Sequence, residues 1–286
     1  MVVTVETAGG AAHEYCLGEL RREDRDRYLT LLFAPRAHRP LQAALYAFNL
    51  ECARAVTAGG EQALLGQMRL QWWRDSLARG LAGQADGPAH PVLTALAGQP
   101  HLIPPMQALL SARERDLTDS PFATLADVVV HAAATGGDLA ALASGQLEAG
   151  QIAAARAAGT AYALAGMLRA IPYQRPGRAY QGRLCLPQDI LAGNGITAEE
   201  VWSGRRPKVV AACARQVAGA ARLELAKLGN ARLQGPAISP LLQGSLARAY
   251  LHRLAKAGHD PFSPNLGLQP LARPLLLCWR ALLWRP

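Results

Sequence analysis

Between Leu41 and Thr57 the large apolar residues Leu41, Leu45, Phe48, Cys52 and Val56 fall three or four positions apart. On a helix that spacing draws one continuous stripe; on a strand it would scatter over both faces. Pro40 in front and Gly59-Gly60 behind supply the punctuation of a helix start and stop. The stretch therefore predicts an inner helix of a bundle. Composition points the same way. Half of the residues are apolar but only 6% are aromatic, so the core is built mostly from Ala, Leu and Val. Alanine and leucine are strong helix formers, and β-branched clusters are scarce. With no Pro-, Gly- or Ser-rich linker, the chain of 286 residues reads as a single all-α domain over residues 12–286 behind a short extension, residues 1–11.

Punctuation and period place the other helices. His13 to Tyr28 reads as a charged helix, with Glu19, Arg22, Glu23 and Asp26 pairing along its exposed side. Glu61 to Leu81 follows, with Leu64, Met68, Trp72 and Leu77 or Ala78 inward and Arg69, Arg74 and Asp75 outward. Trp72 and Trp73 cannot both face inward, since neighbouring helical positions diverge by about 100°. Prolines at 88, 91, 104 and 105 mark two further starts, the second leading to a helix over 106–117, and 118–121 reads as a turn. Phe122 to Leu142 is apolar and loosened by Gly136-Gly137. Ala149 to Ala170 is nearly all small residues, which permit either close helix packing or room for a ligand. Pro172 ends it. A polar loop over 173–183 runs to Pro187, which opens a short helix. Further helices are expected from Pro207 to about Leu233, from Pro240 to Ala255 and from Leu271 to Trp284.

The net charge is +9, and only three of the 30 basic residues are lysines. That balance favours an anionic partner, although an arginine- and alanine-rich composition also reflects G+C-rich coding. Neither a basic block nor an RNA-binding aromatic signature points to nucleic acid. The five cysteines are scattered and form no Cys-x-x-Cys pair, as expected of a reducing compartment without a structural metal. The seven histidines show no ligand spacing. The first residues lack the basic and apolar regions of a signal peptide, and no run of about eighteen uncharged apolar residues is present. Pro274 to Pro286 has the Trp, Arg and Leu content of an interfacial helix, so peripheral membrane contact through it stands beside a plain role as the last bundle helix.

Several stretches resemble one family. Pro35, Arg39 and Ala44-Leu45-Tyr46-Ala47-Phe48 look like the first block of squalene and phytoene synthases. Gly159, Ala161, Leu164 and Met167-Leu168-Arg169, followed by Gly182 to Asp189, resemble their second block. Asp116, Leu125 with Gly136-Gly137, and Tyr250 to Phe262 fit the family in order and spacing. The resemblance implies the all-α fold of trans-isoprenyl diphosphate synthases, a helical bundle around a central cavity. It also implies a chemistry in which Mg²⁺ ions, held by carboxylates on two helices, stabilise a departing diphosphate.

Against that pattern this chain departs. The positions of the family's first aspartate cluster read Ala53, Arg54 and Thr57, and those of the second read Ala170 and Gln174. No acidic residue lies between Glu51 and Glu61 or between Glu148 and Asp189, so shifting the alignment restores neither metal site. The sequence shares this departure with a divergent group, the mitochondrial complex I assembly factors of squalene/phytoene-synthase type and their bacterial relatives. The features it shares with them are Ala47 to Glu51, Met68 to Trp73, and Leu168 to Tyr173.

The resemblance thus implies a non-catalytic protein of respiratory complex I assembly, without a cofactor, meeting a complex I subunit or another assembly protein. It would be bacterial and cytoplasmic, or peripheral at the inner membrane. Two alternatives stand beside it. One is a module that holds a prenyl diphosphate or another isoprenoid lipid without turnover. The other is an active, Mg²⁺-dependent prenyl-diphosphate transferase with an atypical site, for which Glu51, Asp116 and Asp189 are the only scattered candidates. The residues that could face a cavity or ligand are Tyr46, Asn49, Glu51, Arg54, Arg169, Tyr173 and Arg183. Arg169 and Arg183 have the fork geometry to hold a phosphate, or equally to cap carbonyls or pair with Glu51 or Asp189.

Overall fold

A computed structural model describes residues 2–57, 63–81, 90–117, 121–174, 184–283 and 286. Side chains are described from Gly9 onward, except those of Thr57 and Ala63. The glycine pair 59–60, the turn residues 118–120, most of the 173–183 loop including Arg183, and Trp284 lie outside the described residues. Among the described residues there is no strand. The helices gather into two compact units, Met1–Leu117 and Thr118–Pro286.

The first unit is organised around one helix. It contains α1 (Val2–Glu23), α2 (Arg25–Leu31), α3 (Arg39–Thr57), α4 (Ala63–Leu81), α5 (Pro91–Ala95) and α6 (Ile103–Glu114). Helix α3 touches all five others. Its burial is accordingly wider than a stripe, with residues 42–49 all inside. Ala43, Ala44 and Ala47 make this possible, since a methyl side chain lets a neighbour close over what would otherwise be the polar face. Pro40 sits in the first turn, and Arg39 closes the preceding loop by donating to the Ala34 and Leu32 carbonyls at 2.8 and 2.7 Å.

Three expectations about this unit are corrected. The single helix expected over 13–28 is two helices, because Asp24 leaves helical geometry and caps α2, accepting from the Arg27 amide at 3.1 Å. Glu19 and Asp26 are buried rather than on an exposed side. On α4 the expected inner face is outside: Leu64, Met68 and Trp72 are 69, 61 and 47% exposed, while Trp73 is 4% exposed. The inner row is Leu70, Trp73, Leu77 and Leu81. Edge contacts of Trp73 with Phe48 at 5.4 Å and His90 at 4.9 Å favour it over the flexible Met68 row.

The second unit is also built on one central helix. It contains α7 (Leu125–Ala132), α8 (Asp138–Ala143), α9 (Ala149–Ala170), α10 (Gln188–Gly193), α11 (Pro207–Ala226), α12 (Ile238–Lys256) and α13 (Ala272–Leu282). Helix α9 packs against α7, α8, α11 and α12. Between α7 and α8 the chain makes a π-turn, Ala133–Gly137, and lays its glycines on α9. A methyl group on Gly136 would come within 2.8 Å of the Gly159 carbonyl oxygen and 2.6 Å of Ala163 Cβ. The small residues of α9 therefore serve close backbone approach.

Leu125–Ala143 is long and apolar enough to cross a membrane, but half of it is buried inside the molecule, the situation of a core helix. Helix α11 stops at Ala226 rather than near Leu233, because Gly229 turns into the left-handed region, φ +50°. Leu228 and Leu233 are nonetheless buried.

Candidate functional site

The positions that the resemblance assigns to a first metal cluster, Ala53, Arg54 and Thr57, are on α3. Arg54 fills this region with a cation of its own. Its Nη1 lies 2.7 Å from Glu51 Oε1, one helical turn back, and 2.5 Å from Glu19 Oε2 on α1. Its Nη2 is 3.8 Å from Glu23, and Arg22 closes the network at 2.7 Å to Glu19 and 3.0 Å to Glu23. Two guanidiniums thus face three carboxylates. Burial pushes the Glu19 carboxyl upward, but hydrogen bonds and charge from Arg54 and then Arg22 outweigh it and hold Glu19 below the ordinary range. Burial likewise opposes the charge on Arg54, and Glu19 and Glu51 raise its pKa in spite of it.

Magnesium does not fit this donor set. It requires near-octahedral oxygen ligands, and the nearest carboxylates, Glu19, Glu23 and Glu51, are already paired with the cations Arg54 and Arg22. Among the described residues no group of three or more His, Cys, Asp or Glu side chains is placed to hold a metal.

Next to the network is a small concavity of about 220 Å³, lined by Glu51, Ala55, Arg69, Trp72, Trp73 and His90. Its walls are aromatic. Trp72 meets Trp73 at 5.0 Å, and Tyr15 meets His90 at 5.6 Å. His90 caps α5 by accepting from the Val92 amide at 3.3 Å, which requires a neutral Nδ1. Burial depresses its pKa, against the pull of Glu51 and Glu19. A larger, shallower groove of about 640 Å³ runs along the exposed row of α4, where Met68, Trp72 and Leu117 are flanked by Asp75, Glu114 and Gln71.

The remaining predicted residues of α3 are tied down inside the unit. Tyr46 is fully buried, with the Arg27 guanidinium 5.6 Å from its ring centre. Asn49 is buried and accepts a hydrogen bond from Arg113 Nη2 at 3.1 Å; Arg113 also pairs with Asp116 at 3.3 Å. Two of the three scattered carboxylate candidates, Glu51 and Asp116, are therefore held by arginines of their own unit. The third, Asp189, accepts backbone N–H groups from Ile190 at 2.7 Å and Leu125 at 3.3 Å.

In the second unit, Arg169 lies on the last turn of α9 with its guanidinium 3.8 Å from the centre of the Tyr250 ring on α12. That is stacking contact, a use of arginine other than the phosphate fork. Ala170 ends the helix. Ile171–Tyr173 then forms a 3₁₀ turn pinned by Trp202, whose Nε1 donates to the Ile171 carbonyl at 2.8 Å. Gln174 is buried, and Tyr173 is exposed.

Two participants escaped sequence reasoning. Glu19 reads as a solvated helix charge, and only the docking of α1 on α3 brings it to Arg54. His90 stands in a proline-flanked turn, where nothing in the sequence announces an aromatic cluster.

Residues 20–280 match the family model described as squalene/phytoene synthase. Among curated relatives, the chain is 28% identical to the rat (Rattus norvegicus) protein "NADH dehydrogenase (ubiquinone) complex I, assembly factor 6", over 94% of this chain and 82% of that one. The human protein of that name is 28% identical over 96 and 83%. A Drosophila melanogaster homolog is 28% identical over 96 and 85%. Among solved structures, a dehydrosqualene synthase in complex with ligand superposes with a TM-score of 0.77 at 18% identity, covering 98% of this chain and 99% of that one. The squalene synthase HpnC from Alicyclobacillus acidocaldarius gives 0.71 at 22%, covering 89 and 100%. At these identities the two structures establish the fold alone.

Proposed function

The chain belongs to the squalene/phytoene synthase family, and we propose that it is a member without prenyl transfer that serves the assembly of respiratory complex I. One observation carries the proposal. Where ionisation of an allylic diphosphate calls for magnesium on a carboxylate cluster, this chain has a guanidinium, Arg54, clasped by Glu19 and Glu51. A divalent ion would have to displace a covalently tethered cation. A diphosphate without its metal would meet three carboxylates, with Arg54 and Arg22 already engaged by them. The site is thus poor both for the cofactor and for the leaving group. The relatives that carry the assembly-factor name align over nearly the whole chain, which supports the positive half of the reading. In this reading the protein needs no metal cofactor and works in the bacterial cytoplasm, at or near the inner membrane that holds complex I.

Deletion of the gene in its host tests both halves at once. Complex I abundance and NADH oxidation by membranes should fall while squalene, hopanoid and carotenoid levels hold. Loss of an isoprenoid product with complex I intact would overturn the proposal. So would product formation from farnesyl or geranylgeranyl diphosphate by the purified protein with Mg²⁺.

A further inference from the structure

Helix α13 rests on α12 through Leu277, which is buried, and turns its other side outward. At about 100° per residue, Cys278, Leu271, Leu282, Leu275, Trp279 and Leu283 fall within one arc of roughly 140°. All six are exposed, with Leu271 at 77%, Leu282 at 70%, Leu275 at 69% and Trp279 at 59%. The arc contains no polar side chain. An uninterrupted apolar face of this kind is unusual on a protein surface and marks an interaction site.

The surroundings of the arc say what covers it. Residues 261–286 contain Arg273, Arg280 and Arg285 and no carboxylate side chain. Arg273 and Arg280 lie on the far side of α13, half-buried, about one helix diameter from the apolar arc. Arg280 is close enough to Arg248 on α12 to help lower its pKa, after the larger effect of burial. A second copy of the chain docked on this face would bring like charges together.

We propose that α13 is a peripheral membrane anchor that lays its Leu271–Leu275–Trp279–Leu282 face into an anionic bilayer, with the arginines behind it within a Debye length of the headgroups. This is the build of an interfacial helix, apolar residues and a tryptophan on one side and arginines on the other. The inference rests on α13 alone and stands whether or not the assembly role does.

Co-sedimentation of the purified full chain with vesicles tests it. The chain should pellet with vesicles of phosphatidylcholine and phosphatidylglycerol in equal parts, less at high salt, and far less with phosphatidylcholine alone. Leu275→Ser/Trp279→Ser should keep the wild-type circular dichroism and melting temperature, since both side chains are in solvent, and lose about a hundredfold in partitioning. Leu282→Glu should do the same more weakly. Three results would overturn the proposal: no binding to the anionic vesicles, undiminished binding by the double variant, or self-association in sedimentation equilibrium that these substitutions abolish.

Discussion

Helices α3 and α9 hold corresponding places in their two units. Each is the central helix, and the resemblance to the synthases would put one magnesium-binding aspartate cluster on α3 and the other at the end of α9. In this chain the two places are filled in opposite ways. Around α3 the charge remains: Glu19, Glu23 and Glu51 are still gathered, and Arg54 supplies the cation they face. At the end of α9 the corresponding positions are uncharged. Ala170 and Gln174 occupy the positions, and the helix is fixed by glycine contacts and by the stacking of Arg169 on Tyr250. One place is thus filled electrostatically and the other sterically, and the two solutions should fail under different substitutions. Unit one should resent a change of charge, and unit two a change of size.

The sharpest blow to the second solution is Gly159→Ala. The added methyl would run into the Gly136 carbonyl oxygen and sit 2.5 Å from Ala140 Cβ, with no flexible side chain to yield. A cost of about 3 kcal/mol is expected in chemical denaturation. Gly166, on the same helix, has no described neighbour within 4 Å of the corresponding position. There the same substitution should stabilise by about 0.5–1 kcal/mol. Equal effects at the two glycines would mean that α9 is not size-limited.

For the first solution, Arg54→Ala leaves Glu19 and Glu51 facing each other with little water to screen them. Breaking a wholly buried pair costs about 3–5 kcal/mol, and because Arg54 is half-exposed about 2 kcal/mol is expected here. Arg54→Met with Glu19→Gln should recover the part of that loss that comes from Glu19, while Glu51 keeps its unbalanced charge. Failure of the pair to recover would show that the arginine packs rather than neutralises.

How far the sequence foretold this contrast depends on which forces act locally. The limits of α9 at Ala149 and Ala170, and the short helix after Pro187, follow from proline positions and a steady period. The absence of acids at both cluster positions is plain from the residues alone. The orientation of α4 was not legible, because Leu64-Met68-Trp72 and Leu70-Trp73-Leu77-Leu81 are both sound helical rows. Only the partners Phe48 and His90 choose between them. Asp24 hides a helix break within a run of charged residues. The Arg54 network joins residues far apart in the chain, Glu19 and Arg54, through the docking of α1 on α3, and nothing in the spacing of either helix encodes that contact.

A smaller effect separates the two modes of arginine use. Arg169 over Tyr250 is a stacking pair, so a double-mutant cycle of Arg169→Ala with Tyr250→Leu should return a coupling of about 1 kcal/mol, insensitive to salt. The corresponding cycle of Arg54→Ala with Glu19→Gln should give a larger coupling that salt reduces. If both couplings respond alike to salt, Arg169 has an ionic partner that matters more than the ring.

The pH dependence of stability should carry the smallest and most specific signature. The folded chain holds the Glu19 carboxyl below its ordinary 4.5, so the unfolded chain binds that proton more tightly. Its stabilising contribution is therefore complete above pH 4.5 and is lost as pH falls through the lowered value. His90 is depressed below 6.5 by burial, so its contribution is complete above 6.5 and declines on acidification from there. The two windows do not coincide. In Arg54→Met the main force lowering Glu19 is gone while its burial remains, and the acid limb below pH 4.5 should flatten while the decline below 6.5 persists. His90→Asn should do the reverse. Melting temperatures recorded across both windows would separate them, and an acid limb unchanged in Arg54→Met would disconnect the low Glu19 pKa from Arg54.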